Sequence, residues 1–335
     1  MSKRSHSRAM NYSRCPIDEL QVYYHYAVSY GIGTICILGI FLNVFGIFVL
    51  RKMTESGQAI YLLTLLSIAD TVYLLNIFLD RPLRRLIFQM INGDEVFRRP
   101  DFGIFPIWNW LSVASYKSTV NIRNWMVVLS AVVRCLHVLL PFWSRRNVGR
   151  KFVNLSIAII VIVSAGIYID RYFGGRIIPI KCPEDSSSSS ATYLKFEKDK
   201  SMDLSSTVIY LIVTVNAPMI ILMLANTILL WSISRSIKNR KSMASSTPKT
   251  ETNANTKATQ LVIIATVIYL VCESPTIISR IFNYFVKYEI TPTMWKMFVV
   301  LNNLTPIDSA INFIIYMIAS RSFRKTARTT LFGGK

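Results

Sequence analysis

Seven stretches of this chain each run roughly 20 residues or more with few charges, the length a helix needs to cross about 30 Å of hydrocarbon. Their expected bounds are Ala27–Leu50, Ala59–Leu79, Ile107–Leu140, Phe152–Ile169, Ser206–Ser232, Ala258–Val286 and Thr293–Ala319. They are numbered here as spans one to seven. Each is read as a helix, since about 20 helical residues cross that thickness. The expected fold class is therefore an all-α membrane protein, a seven-transmembrane helix bundle. Residues 1–26 precede the bundle, residues 27–319 form it, and residues 320–335 follow. In the last segment SRSFRKTARTTLF alternates bases with Phe323 and Phe332. It reads as a short amphipathic eighth helix on the membrane surface. Composition agrees: 17% of residues are charged, against about 25% in soluble domains.

The residues between spans bear on topology. The N-terminal stretch MSKRSHSRAMNYSRCPIDEL lacks the apolar h-region of a cleaved signal peptide, so span one is expected to serve as its own insertion signal. Lysines and arginines divide evenly between the two sides of the membrane, and the positive-inside rule does not decide orientation. The acids do not divide evenly: 13 lie on the N-terminal side and 2 on the other. The sequon Asn11-Tyr12-Ser13 points the same way, because Asn11 could be glycosylated only outside. The expectation is a multi-pass plasma-membrane protein with its N-terminus extracellular. A net charge of +20 is read as loop bases meeting anionic lipid. No basic patch interleaved with aromatics suggests nucleic acid as a partner. Two low-complexity segments, SSSSS (186–190) and KSMASSTPKTETNANTK (241–257), are expected to be mobile, the second as a linker or a phosphorylation segment.

Enzyme chemistry finds little support. Five cysteines form no C-x-x-C or Cys/His cluster, and the chain has only three histidines. There is no phosphate loop, nucleophile elbow or zinc-hydrolase motif. Neither catalysis nor a cofactor nor a metal is expected.

The informative residues are the polar ones inside the spans. Each costs roughly 2.5–3.5 kcal/mol at a helix centre, so it is kept where it pairs or works. They are Asp70, Lys117, Arg123, Arg134, Glu273, Arg280 and Asp308. Lys117 and Arg280 lie near a span end and can snorkel. Asp70, Arg123, Glu273 and Asp308 are too deep for that. Pro218 and Pro275 each remove a backbone donor and permit a kink.

These residues also carry a resemblance. Span one has Asn43 in LNVFGIFVLRKM, and span two has LSIAD with Asp70. Trp125, Arg134 and Pro141 punctuate span three in NWMVVLSAVVRCLHVLLPF. Pro218 lies in span five, CESP in span six, DSAINFIIY in span seven, and RSFRK follows. In this order, over roughly residues 27–330, the chain resembles a rhodopsin-like (class A) G-protein-coupled receptor. NFIIY with a basic-aromatic helix after it is most similar to invertebrate neuropeptide (FMRFamide-receptor-like) receptors. The resemblance implies that Arg134, Tyr316, Pro275 and Pro218 take part in a switch that opens a cytoplasmic cleft for a Gα subunit. It implies a heterotrimeric G protein as partner, with arrestin and a receptor kinase as further ones.

Departures from the family pattern matter. Val133 stands where an acid normally clamps the arginine, and Cys135 where a tyrosine follows, so Arg134 is expected to be weakly restrained. The family's outer disulfide would use Cys182, but Asn109 holds the partner's place. Cys15 is the other outward cysteine, so a Cys15–Cys182 bond stands against two free thiols. Cys36, Cys135 and Cys272 are read as packing residues. Phe313 replaces the proline of span seven, which should reduce the kink there, and span four lacks the family's tryptophan.

In the family a sodium ion sits among a span-two Asp, a span-three Ser and span-seven Asn and Ser residues. Here those places hold Asp70, Arg123, Asp308, Ser309 and Asn312, with Glu273 above them. An arginine in the ion's place can donate to several carboxylates. Three ionised acids about one cation would leave excess negative charge, so one acid, Glu273 first, is expected to hold its proton. The cluster reads either as a proton-sensitive latch or as a static polar staple.

The leading expectation is a cell-surface receptor for an extracellular peptide. Tyr116 stands where an amine receptor needs an acid, and Pro306 where an opsin needs a lysine. Tyr116, Lys117, Arg280, Tyr284, Asn302 and Asn303 are the candidate pocket residues, and the basic ones favour a ligand with an acid group. The alternatives are a lipid or small chemosensory ligand, or a proton-coupled transporter, which lacks the internal repeat expected of one.

Overall fold

The computed structural model describes residues 27–53, 57–84, 106–169, 175–182, 191–198, 210–242, 263–264, 266–275 and 304–333, with a few isolated positions. Span one starts as a π-helix, Ala27–Ile32, and continues as an α-helix, Gly33–Lys52. Span two is α-helical over Gln58–Phe78 and widens to a π-turn at Leu79–Leu83. Pro82 lies in that turn, where its missing N–H and bulky ring disfavour the tighter α register. Span three runs unbroken over Pro106–Leu139. Leu140 then leaves the helical region, as a residue before proline tends to, and Pro141 opens a short helix, Pro141–Asn147. Span four is Arg150–Ile167, close to its expected bounds.

Span five is π-helical over Tyr210–Asn216 and α-helical over Ala217–Ser242, well past its expected end at Ser232. Span six is helical at 263–264 and 266–275. Span seven is helical over Leu304–Ala319 and runs through Phe313 without a break. The expected eighth helix occupies Arg321–Phe332. Ser320 caps its first turn by accepting from the Phe323 N–H, and Gly333 ends it in the left-handed region at φ 58°. Five described helices are long and apolar enough to cross a membrane, while Leu304–Ile318 is apolar but shorter.

Among the described residues, one element departs from an all-helical reading. Strands β1 (Gly175–Cys182) and β2 (Ala191–Lys198) pair antiparallel, with Cys182 opposite Ala191, and β2 packs against span three. β1 carries three isoleucines and β2 Thr192, Tyr193 and Phe196, residues that suit strands, but both are far too short to register as a span. The serine run 186–190 and linker residues 243–257 fall outside the described residues.

The bundle is apolar on its outer faces and carries a set of buried polar side chains within its apolar core. Leu38, Phe41 and Phe48 of span one and Leu155, Ile159 and Ile162 of span four are exposed, whereas Asn43, Asp70, Arg123, Asn124, Glu273 and Asp308 are buried. Lipid supplies no hydrophobic drive between helices, so packing and buried hydrogen bonds must hold them together. Gly39 shows how close the approach is. A Cβ there would lie 2.7 Å from both the Ala310 Cβ and the Leu74 Cδ1, so spans one, two and seven meet only because it is absent. Near the other end Phe313 packs between Phe45 of span one and Phe323 of the surface helix, with ring centroids 5.5 Å apart in both cases. The Arg324 Nη1 donates to the Met317 and Ile318 carbonyls at 2.8 and 2.5 Å, satisfying acceptors that the end of span seven leaves open.

Candidate functional site

Midway along span three, Arg123 is only 2% exposed and meets three carboxylates from three other helices. Its Nε donates to Asp70 Oδ1 of span two at 3.1 Å, and its Nη1 to Glu273 Oε1 of span six at 3.3 Å. Its Nη2 donates to Asp308 Oδ1 of span seven. Tyr73 and Tyr269 offer their rings to the guanidinium, each centroid 5.2 Å from Cζ. Such a cation held by ring faces and carboxylates together is far better compensated than one in bare hydrocarbon.

Helical spacing explains how so few elements build so dense a site. Asp70 and Tyr73 are three apart, Tyr269 and Glu273 four apart, Asp308 and Asn312 four apart. Each pair therefore shares one face of its helix, and each face turns towards Arg123. A further layer fixes the acids. Asn312 Nδ2 donates to the second Asp70 oxygen at 2.6 Å, Ser309 Oγ donates to Asp308 Oδ1 at 3.4 Å, and Asn43 Nδ2 donates to the Ser309 carbonyl at 2.8 Å. All seven residues expected in the polar network thus belong to one connected set across five spans. Tyr73, Tyr269 and Asn124, whose Oδ1 accepts from Arg123 at 3.4 Å, were not expected in it. The signal for the two tyrosines was their spacing from Asp70 and Glu273. A cavity of about 20 Å³, room for about one water, lies beside Arg123 and Asp308 and is bounded also by Ser130, Thr266, Tyr269 and Asn312.

A second piece of chemistry surrounds Pro218. Proline has no N–H, so the carbonyl four residues back, at Thr214, loses its α-helical donor, and the one five back, at Val213, loses its π-helical donor. Consecutive side chains of span three supply both. Asn124 Nδ2 donates to the Thr214 carbonyl at 2.8 Å, and Trp125 Nε1 donates to the Val213 carbonyl at 3.2 Å. Asn121 Nδ2 adds a bond to Ser164 Oγ of span four at 2.8 Å, and Thr266 Oγ1 of span six one to Asn226 Oδ1 of span five at 2.7 Å.

The remaining sites are placed as follows. Arg134 lies eleven residues beyond Arg123 on span three, about 16 Å along the axis. No ion pair or side-chain hydrogen bond holds it among the described residues, and Val133 beside it is buried. Tyr316 is buried and packs edge-on to Phe323 at 5.6 Å. Pro275 lies in the helical part of span six. Tyr116 stacks on Tyr73 with centroids 6.3 Å apart, and Lys117 is half-buried. Cys36 and Cys135 are buried, Cys272 is half-buried, and none of the three forms a disulfide. Cys182 ends β1, but Cys15, Asn11, Arg280, Tyr284, Asn302 and Asn303 lie outside the described residues.

An unbroken chain of polar contacts through the core of an apolar bundle suits a signalling device. Residues 28–334, all but the first 27 residues and the last, match the family described as Serpentine type 7TM GPCR chemoreceptor Srw. The chain belongs to that family. It is therefore a multi-pass membrane receptor of the G-protein-coupled kind, with a ligand and a G protein as its partners, in a family of chemoreceptors and not of enzymes. A comparison with curated proteins gave no match. The match names the Srw family where the sequence motifs alone suggested a rhodopsin-like receptor nearest to neuropeptide receptors.

Proposed function

We propose that this Srw receptor sits in the plasma membrane with its N-terminus outside, binds an extracellular peptide, and relays binding to a heterotrimeric G protein through the Arg123 cluster. The observation that carries the reading is that one buried side chain pairs with spans two, six and seven from span three. Any ligand that shifts one of these helices must alter the pairing of the others. Arg134, Tyr316, Pro218 and Pro275 would then convert the shift into an opening at the opposite end. The β1–β2 hairpin against span three supports a peptide, because strand edges offer backbone groups to an extended chain. A small chemosensory ligand is the second reading, favoured by the chemoreceptor description of the family. Cys15–Cys182 pairing, glycosylation at Asn11, and use of arrestin and a receptor kinase belong to the same proposal.

The test is a calcium readout in cells that express the receptor with a promiscuous Gα subunit. Peptide and small-molecule libraries are applied to wild type and to Arg123→Gln. The expected result is a peptide agonist whose response falls at least tenfold in the variant at matched surface expression. Agonism confined to small molecules selects the second reading. Substrate flux without G-protein activation would instead favour a transporter.

A further inference from the structure

At the N-terminal end of the bundle a second charged group lies outside the Arg123 cluster. Asp80 is buried in the π-turn at the end of span two, and its Oδ1 accepts from Ser112 Oγ of span three at 2.5 Å. Its other oxygen faces Arg81 Nε at 3.5 Å, a long contact for an ion pair. The Arg81 side chain keeps 29% of its surface accessible, against 7% for Asp80. Its guanidinium lies over the Tyr116 ring, 5.3 Å from the centroid. Tyr116 stacks on Tyr73 at an interplanar angle of 26°, and Tyr73 in turn faces Arg123. Cation, ring, ring and cation thus form a ladder from the end of the bundle to its central cluster.

We propose that Arg81 is a ligand-contacting residue and that the ligand presents a carboxylate to it. The inference rests on the receptor reading above and names the chemistry its ligand must carry. A guanidinium seated on an aromatic face is already oriented, so little freedom is lost when a carboxylate takes it. Asp80 faces Arg81 until then, and the Ser112 hydroxyl stays with Asp80 when Arg81 turns away. Drawing Arg81 towards a ligand changes the cation over Tyr116, and the stack passes that change to Tyr73 and Arg123. The carboxylate can come from the free C-terminus of a peptide or from a small organic acid. Both share the chemistry, and the experiment separates them.

Full-length receptor is purified in detergent, and its thermal midpoint is measured with two panels at millimolar concentration. One panel holds short free-acid peptides ending in Leu or Phe, the other aryl and alkyl monocarboxylates such as phenylacetate. Each compound is paired with its amide. The expected result is an upward shift of at least 3 °C with acids of one panel and none with their amides, because only a ligand that binds the folded state raises the midpoint. The shift is lost in Arg81→Gln, partly kept in Arg81→Lys, and reached at about fivefold lower concentration in Asp80→Asn, which no longer competes for the guanidinium. The active panel identifies the source. No shift with any acid, equal shifts with acids and amides, or a shift unchanged in both Arg81→Gln and Asp80→Asn overturns the proposal. Because binding is read without a G protein, failure of the signalling reading leaves this outcome distinguishable.

Discussion

Arg123 concentrates the polar chemistry of the bundle in one side chain. Its guanidinium serves Asp70, Glu273 and Asp308 in three directions, which the point charge of a lysine does not reproduce. Removing one partner of a buried pair costs about 3–5 kcal/mol because the other charge is left uncompensated. Arg123→Leu should therefore cut surface expression severely, and Arg123→Leu with Asp308→Leu should recover part of it; flow cytometry with an extracellular tag measures both. Arg123→Ser frees the space between the acids, and agonist potency in that variant should become dependent on sodium while wild type stays indifferent. Glu273 is the carboxylate through which span six joins the cluster. Glu273→Gln copies a protonated carboxyl in shape, so expression should hold while the pH dependence of signalling moves. An unchanged pH profile would reduce the cluster to a static staple.

At the scale of elements, span three is the axis against which the other helices are registered. Asn124 and Trp125 take the carbonyls that Pro218 leaves without donors, so the π-to-α transition of span five is matched to two particular side chains. Asn124→Ala leaves the buried Thr214 carbonyl unpaired and should cost about 1–3 kcal/mol. Part of that loss should vanish in a Pro218→Ala background, where residue 218 regains an N–H. A double-mutant cycle on thermal midpoints of purified receptor measures the coupling, and strict additivity would break the link between the two sites. Span one is registered differently, by the absence of a side chain. Gly39→Val should fail to reach the surface in normal amounts, since its β-carbon would overlap Ala310 and Leu74.

Over the whole molecule, restraint is distributed unevenly. The centre is held by the Arg123 cluster, while Arg134 has no partner among the described residues and Val133 offers it no charge. An inactive state restrained at the centre alone should be leaky. Wild type is expected to signal without ligand, and Val133→Asp should lower that basal signal at least twofold in the calcium assay. Equal basal signals in both forms at matched expression would show that the centre suffices.

The sequence alone determined the helical spans, the surface helix and four of the buried charged residues, because lipid penalises exposed backbone and unpaired charge so heavily that length and polarity suffice to read them. It indicated that Asp70, Arg123, Glu273 and Asp308 needed partners. It carried no sign of the hairpin, whose two eight-residue strands are stabilised by each other and not by lipid. Tyr73 and Tyr269 looked like ordinary span residues, and Asp80, Arg81 and Ser112 like unrelated polar positions. Which ring faces which cation, and which carbonyl takes which amide, depends on how far each helix is rotated and shifted against its neighbours. That rotation is set by packing at places such as Gly39, where a contact between residues 271 apart decides it. No local pattern encodes such a distance, so the ladder from Arg81 to Arg123 and the two carbonyls beneath Pro218 were decided by the tertiary structure alone.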